Sequence, residues 1–203
     1  MRVVKNILLL LVCTSFAGSQ VLCAQPNYKI ENTKESDMKL SGTSTLHDWM
    51  MRTSTFASQA KFEFEVGNDD QLTALKSLTF SLAVRNLKSD SRALDKNAYK
   101  ALKADHHTDI TYQLISATVA DSKEKSYLIK TQGNLQVAGV TKEVSIDVHC
   151  VVNKDASITC NGSNKLKMTD YQVKPPSFML GAMKTGDALM LDFKLVYKKG
   201  ESN

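Results

Sequence analysis

The chain has 203 residues, of which 42% are hydrophobic and 23% are charged. A chain of this length can bury the core of one domain without a metal or several disulfides. The formal net charge is +5, and it falls to +3 when a predicted leader containing Arg2 and Lys5 is removed. Because basic and acidic residues are interleaved along the chain, this small excess argues against nucleic-acid binding.

Residues 1–24 have the layout of a secretory signal peptide. Two basic residues precede a short apolar run, which small and polar residues follow. The run is too short to cross a bilayer, which takes about 20 residues. We therefore expect cleavage near Cys23 or Ala24, export to the periplasm and a mature domain of residues 25–203. A lipid anchor on Cys23 is the alternative, but Leu22 stands where lipoprotein processing favours a small residue.

Alternation of apolar and polar residues dominates the mature chain. Such alternation predicts antiparallel strands with one buried and one solvated face. The alternating segments are, in chain order, 28–31, 38–46, 56–66, 78–85, 110–114, 127–137, 144–152, 158–166 and 189–198. Turns are predicted at 67–70 and at Ala138-Gly139. Eight or nine evenly spaced strands without a linker predict an all-β sandwich or barrel.

One segment, residues 91–102, has helical rather than strand spacing. Leu94, Ala98 and Leu102 are four residues apart and therefore share one helix face, and Ser91 is a suitable N-cap. A single short helix in a β-protein either closes one barrel end or packs on the outer wall, and the sequence leaves both open.

Two cysteines, Cys150 and Cys160, remain in the predicted mature chain. Each lies on the apolar face of its strand, and a turn centred on Asp155 would place them directly opposite each other. Cross-strand partners are about 5 Å apart, within disulfide reach. We expect a disulfide, with two buried free thiols as the alternative.

The sequence has none of the common catalytic motifs. It lacks a Gly-x-Ser-x-Gly elbow, a Walker loop and a dinucleotide-binding glycine pattern. Neighbouring histidines such as His106 and His107 point in opposite directions along an extended segment, which disfavours a shared metal ion. We therefore expect neither an enzyme nor a cofactor or metal.

Residues 167–187 form the most unusual stretch, a predicted loop rich in Phe, Met and Pro. Apolar loop residues normally avoid water. We expect this loop to fold over apolar surface at one end of the barrel, either as a plug or as the mouth of a ligand cavity.

The motifs resemble those of the YceI family of exported, lipocalin-like proteins. The resemblance covers nearly all of the mature chain and rests on the order and spacing of six segments: 44–49 (STLHDW), 84–89 (VRNLKS), 109–112 (DITY), 133–144 (GNLQVAGVTKEV), 166–171 (LKMTDY) and the terminal strand at Gly186-Asp187. It implies an extended eight-stranded antiparallel barrel with one short helix. Family members are described as binding polyisoprenoids, such as a quinone tail, inside the barrel.

We therefore expect an exported, non-enzymatic carrier that sequesters an apolar or amphiphilic lipid of isoprenoid type. Transient membrane contact is compatible with this role, and the sequence leaves the oligomeric state, including a dimer, open. The residues expected to bind the ligand are Trp49, Phe62, Phe64, Phe80, Tyr112, Phe178, Met179 and Met183. The alternative is a structural or interaction protein whose barrel is filled by its own side chains.

Overall fold

A computed structural model describes residues 27–30, 34–120, 125–178 and 183–200. The predicted signal peptide and Met179 lie outside these residues. The strands are β1 Tyr28–Lys29, β2 Asp37–Ser44, β3 Trp49–Thr53, β4 Ala57–Glu65, β5 Asn68–Ala83, β6 Asp109–Ala120, β7 Ser126–Val137, β8 Val140–Val152, β9 Ile158–Lys167, β10 Ser177–Phe178 and β11 Met183–Lys199. The helical segments are α1 Arg92–Ala101 and the 3-10 turns Val84–Asn86 and Thr169–Tyr171.

The strands close into an eight-stranded antiparallel barrel, as predicted. Strands β4 to β9 follow one another around the wall, and β11 pairs with β9. The other edge of β11 pairs with β2 along its first half and with β1 near its end, where Tyr28 faces Lys199. Strand β1 also pairs with β4, and β2 pairs with β3. Strands β1 and β2 therefore share one strand position in the barrel wall, and β3 and β4 share the neighbouring one, which completes the eight.

Alternate strand connections lie at the same end of an antiparallel barrel, which gives this one two different ends. We call one the helix end: it carries the turn 45–48, the segment 84–108 with α1, the turn Ala138-Gly139 and the segment 168–178. We call the other the disulfide end: it carries the Val66-Gly67 turn and the loop 153–157, close to Cys150 and Cys160.

The helix begins where its cap predicts. The Leu94 amide donates a 3.3 Å hydrogen bond to the Ser91 hydroxyl, and α1 spans Arg92–Ala101. The Ala138-Gly139 turn is also confirmed, with both residues at positive φ (50° and 83°), as a tight two-residue hairpin requires. None of the helices in the described ranges is long and apolar enough to cross a bilayer.

The structure corrects three local predictions. The turn predicted at 67–70 is shorter, because Asn68 already pairs with Glu65 at the start of β5. Strand β3 was not predicted, and β10 lies inside the predicted loop 167–187. Both strands are too short to show a clear alternation, so their extended conformation depends on pairing with a neighbouring strand.

Candidate functional site

An apolar cavity of about 240 Å³ occupies the barrel interior towards the helix end. Its lining is almost entirely aliphatic and aromatic, drawn from strands β2 to β9, from β11 and from α1. Inward side chains midway along the barrel, such as Leu78, Leu191 and Phe193, are only half-buried although they face the interior. Partial exposure of these inward residues means that part of their surface borders open space, although they also pack against the core.

Three glycines on the inner face help to make this space. Gly162 lies directly opposite Phe193, Gly42 lies directly opposite Trp49, and Gly133 lies diagonal to Tyr112. A Cβ at any of these glycines would come within 2.2–2.5 Å of the neighbouring ring. Because the wall has no side chain at these points, the rings lie down on the sheet and leave the middle of the barrel open.

The floor of the cavity is the packed disulfide end. Phe62, Ile158 and Tyr197 are fully buried there, and the rings of Phe62 and Tyr197 meet edge to face at 5.6 Å. The Tyr197 hydroxyl shares a 2.8 Å hydrogen bond with Ser58, and burial raises the pKa of Tyr197 above its usual value. The site therefore ends on a rigid apolar base.

The disulfide lies in this floor. Cys150 and Cys160 are register partners on β8 and β9, with a Cα separation of 4.1 Å and bonded sulfur atoms. Both residues are buried and both border the cavity base.

The roof is formed by α1 and by the segment after β9. Leu94, Ala98 and Leu102 all line the cavity, so the apolar helix face closes one barrel end instead of packing on the outer wall. Met168, Val173 and Pro176 complete the roof from the other side. The segment 168–176 is therefore both a cover over the barrel and part of the cavity lining.

Hydrogen bonds that Asp187 accepts hold the roof segment in place. The Thr169 amide and hydroxyl donate to the Asp187 carboxylate at 2.9 and 2.7 Å. The hydrogen bonds from Thr169 hold the pKa of Asp187 below its ordinary value, and the bond from the hydroxyl contributes more than the bond from the amide.

Few polar groups face the cavity, and two tyrosines are prominent among them. The Tyr112 hydroxyl donates to the Thr131 hydroxyl at 3.2 Å, and Thr131 donates to the Ile146 carbonyl at 2.9 Å, so this pair is satisfied within the wall. The Tyr171 hydroxyl is buried and has no hydrogen-bond partner among the described residues. Burial, with a smaller contribution from the charge of Asp170, raises the pKa of Tyr171 to about 12.

The sequence-predicted ligand residues divide into three groups. Trp49, Phe62, Phe80 and Tyr112 line the cavity. Phe64 does not: it packs beside Tyr28, with ring centroids 6.1 Å apart, at the disulfide end. Phe178 pairs with Met183 across β10 and β11, and their side chains, like Met179, lie outside what the structure describes.

The ligand residues predicted from the sequence include none from α1 and only Met183 from β11. Leu189, Leu191 and Phe193 line the cavity from β11, and their alternation was visible in the sequence. No cluster of three or more metal-ligating side chains occurs within the ranges that the structure describes.

Comparison with known proteins assigns the fold to a family. A barrel structure from Burkholderia cenocepacia, BcnA, has 15% identity and a TM-score of 0.64 over 82% of this chain and 98% of its own. A structure from Saccharophagus degradans, described as a polyisoprenoid binding domain implicated in plant cell wall breakdown, has 11% identity and a TM-score of 0.63 over 85% and 98%. The Campylobacter jejuni YCEI protein has 17% identity and a TM-score of 0.52 over 71% and 82%.

These likenesses, all below 20% identity, show a shared fold. No curated protein has a matching sequence. The model of the YceI-like domain matches residues 28–197, which is most of the chain. The chain therefore belongs to the YceI-like domain family.

Proposed function

We propose that this protein is an exported carrier that encloses the tail of an amphiphilic isoprenoid lipid inside its barrel. The observation that carries the proposal is the 240 Å³ cavity with its apolar lining. Burying one isoprene unit, about five carbons, releases on the order of 3–4 kcal/mol before the cost of ordering the chain is subtracted. A quinone-type or polyprenyl chain fits this chemistry, and no bond is made or broken.

Two further features support a slender ligand rather than a compact one. An eight-stranded barrel has an interior about wide enough for one small ligand. The relatives include a domain described as polyisoprenoid binding, which we extend to this chain on the basis of the shared fold. The predicted signal peptide supports carriage in the periplasm, where a prenyl chain needs protection from water.

The alternative of a filled barrel suits only the disulfide end. Phe62, Ile158 and Tyr197 are fully buried there, whereas Leu78, Leu191 and Phe193 are only half-buried and line the cavity. A purely structural protein would gain stability by filling this space, since each missing contact in a core is a cost.

Organic extraction and mass spectrometry of the mature protein, purified from its native periplasm, test the cargo directly. We expect a near-stoichiometric prenyl lipid. An empty extract that stays empty after incubation with isoprenoid-containing vesicles would contradict the proposal.

Trp49 offers a second test without labelling, because it is the only tryptophan of the chain and it lines the cavity. We expect geranylgeraniol, a twenty-carbon isoprenoid alcohol, to change its fluorescence saturably. Gly162→Ala should weaken this binding, since the new methyl group pushes the Phe193 ring into the cavity. Gly162→Ala/Phe193→Leu should restore binding, because the smaller leucine side chain reopens the cavity. If the double variant binds geranylgeraniol as weakly as Gly162→Ala does, the ligand does not occupy the space beside Phe193.

A further inference from the structure

A cluster of basic side chains covers the outer face of α1, beside the roof of the cavity. Its members, which we call the basic patch, are Arg85, Lys88, Arg92, Lys96, Lys100 and Lys103. All of them lie on α1 or in the segments that flank it at the helix end. The opposite face of the same helix lines the cavity, so α1 separates the basic patch from the proposed cargo.

The basic patch accounts for the net charge of the domain. Residues 84–106 contain six Lys and Arg against three Asp, a net charge of +3. The predicted mature chain, 25–203, has 24 Lys and Arg against 21 Asp and Glu, so the rest of it is neutral. Two of the three aspartates are already engaged: Asp105 pairs with Arg85, and Asp95 accepts hydrogen bonds from Ser89.

The fold holds these like charges close together. The guanidinium of Arg85 and the ammonium of Lys88 lie 5.5 and 5.2 Å from the centre of the same Tyr99 ring. The Tyr99 hydroxyl in turn donates a 2.7 Å hydrogen bond to the Leu87 carbonyl. Arg92, Lys96 and Lys100 follow at four-residue spacing on one helix face, where like charges repel. An anionic partner would relieve this repulsion.

Exposed apolar side chains accompany the basic patch. Met50 is 47% exposed, and the Arg52 side chain contacts its sulfur at 3.4 Å. Arg52 and Lys88 exchange two backbone hydrogen bonds, 2.7 and 2.9 Å long, which place β3 beside the basic patch. Leu46, which is 63% exposed, lies in the turn 45–48 at the same end. Basic residues combined with exposed apolar ones are typical of surfaces that sit at a lipid interface.

We propose that the helix end docks on the surface of an anionic phospholipid bilayer through the basic patch, with Leu46 and Met50 entering the headgroup layer. Nucleic acid would match the charge, but it has no apolar layer for these two side chains. Docking brings the roof of the cavity against the membrane. A lipid can pass between the bilayer and the barrel only when the two are in contact in this way. The docking itself is independent of the cargo, whereas the transfer rests on the proposed function.

Sedimentation of the mature protein with vesicles tests the docking. We expect binding to vesicles that contain phosphatidylglycerol, and none to pure phosphatidylcholine. Salt should weaken the binding strongly, because exposed charges are screened within about 10 Å at 0.1 M and about 3 Å at 1 M. Equal binding to both vesicle types, or none to either, would overturn the proposal.

A matched pair of variants locates the surface. Arg92→Glu/Lys96→Glu should weaken vesicle binding by about 30-fold or more, since each basic residue contributes roughly fivefold and the new carboxylates are repelled as well. Acidic residues are tolerated near a helix N-terminus, so α1 should remain folded. Lys34→Glu/Lys154→Glu makes the same charge change near the disulfide end and should bind as wild type does. Equal losses in both variants, or none in either, would contradict a defined docking surface.

The Trp49 titration with geranylgeraniol separates this inference from the proposed function. The Arg92→Glu/Lys96→Glu variant should lose vesicle binding but keep the saturable fluorescence change. If wild-type protein binds anionic vesicles but its fluorescence does not respond to geranylgeraniol, the proposed cargo is wrong and the docking proposal stands. If the fluorescence responds but the protein does not bind vesicles, the docking proposal is wrong and the proposed cargo stands.

Discussion

The two ends of the barrel use the same strands for opposite purposes. At the disulfide end, inward residues such as Ile158 and Tyr197 have no exposed surface, and aromatic rings pack edge to face. At the helix end, inward residues such as Leu189 and Phe80 are half-buried and border a cavity. One wall, with one pattern of alternation, therefore supplies both a core and a binding site.

The difference shows how a small barrel can be stable and partly empty. Close packing and a cross-link are concentrated in one half, which fixes the strand register for the whole barrel. The other half can then give up packing contacts for ligand space. The changes below, in decreasing order of expected size, test whether the two ends differ in this way.

Removing matched phenylalanine side chains from the two ends should cost different amounts. Phe62→Ala empties a site that is 1% exposed and should lower the free energy of unfolding by about 3–5 kcal/mol. Phe80→Ala removes a half-buried ring that borders space and should cost about half as much. Urea denaturation measures both, and equal losses would show that the cavity wall is packed as tightly as the floor.

Removing the disulfide should affect stability and spare binding. The bond closes a loop with a sequence separation of 10, so Cys150→Ala/Cys160→Ala should lose about 2–3 kcal/mol. Geranylgeraniol affinity should change little, because the roof and most of the wall are untouched. Reductant should destabilise wild type by a similar amount and leave the variant unchanged; a wild type indifferent to reductant would indicate free thiols.

Tyr171→Phe should stabilise the ligand-free protein. Its buried hydroxyl has no partner among the described residues, and an unsatisfied buried donor costs about 1–3 kcal/mol. We expect a gain of about 1 kcal/mol in thermal or urea unfolding. Tyr99→Phe is the control with the opposite sign, since it removes a hydrogen bond to the Leu87 carbonyl. A destabilised Tyr171→Phe protein would show that the hydroxyl is satisfied in solution.

The smallest effect concerns acid and the roof segment. Because Thr169 lowers the pKa of Asp187, the ionised carboxylate stabilises the fold above the ordinary carboxyl pKa of about 3.9. That contribution is lost as pH falls through the lowered pKa of the folded state. Unfolding of wild type and Asp187→Asn should differ near neutrality and converge in acid. A difference that persists unchanged below this range would exclude the carboxylate as its source.

Part of the candidate site was predictable because alternation fixes which face of a strand a residue occupies. It placed Phe62, Phe80 and Tyr112 on inward faces, and all three border the cavity. It could not separate Phe62 from Phe64, since both share a face and differ only in depth along the barrel. Depth depends on how neighbouring strands are staggered, which no local pattern records.

Local patterns were enough to predict the inward and outward faces of the long strands, the N-cap of α1 at Ser91 and the tight turn at Ala138-Gly139. Each depends on neighbours within a few residues, which is why a pattern can reveal it. That the barrel encloses a cavity beneath the roof at its helix end follows only from the three-dimensional packing. The pairs that create the space, Gly162 with Phe193 above all, come from different strands. The basic patch lies beside β3 only because Lys88 and Arg52, which are far apart in the chain, pair through their backbones. Such features require the closed barrel, because they exist only where distant segments meet.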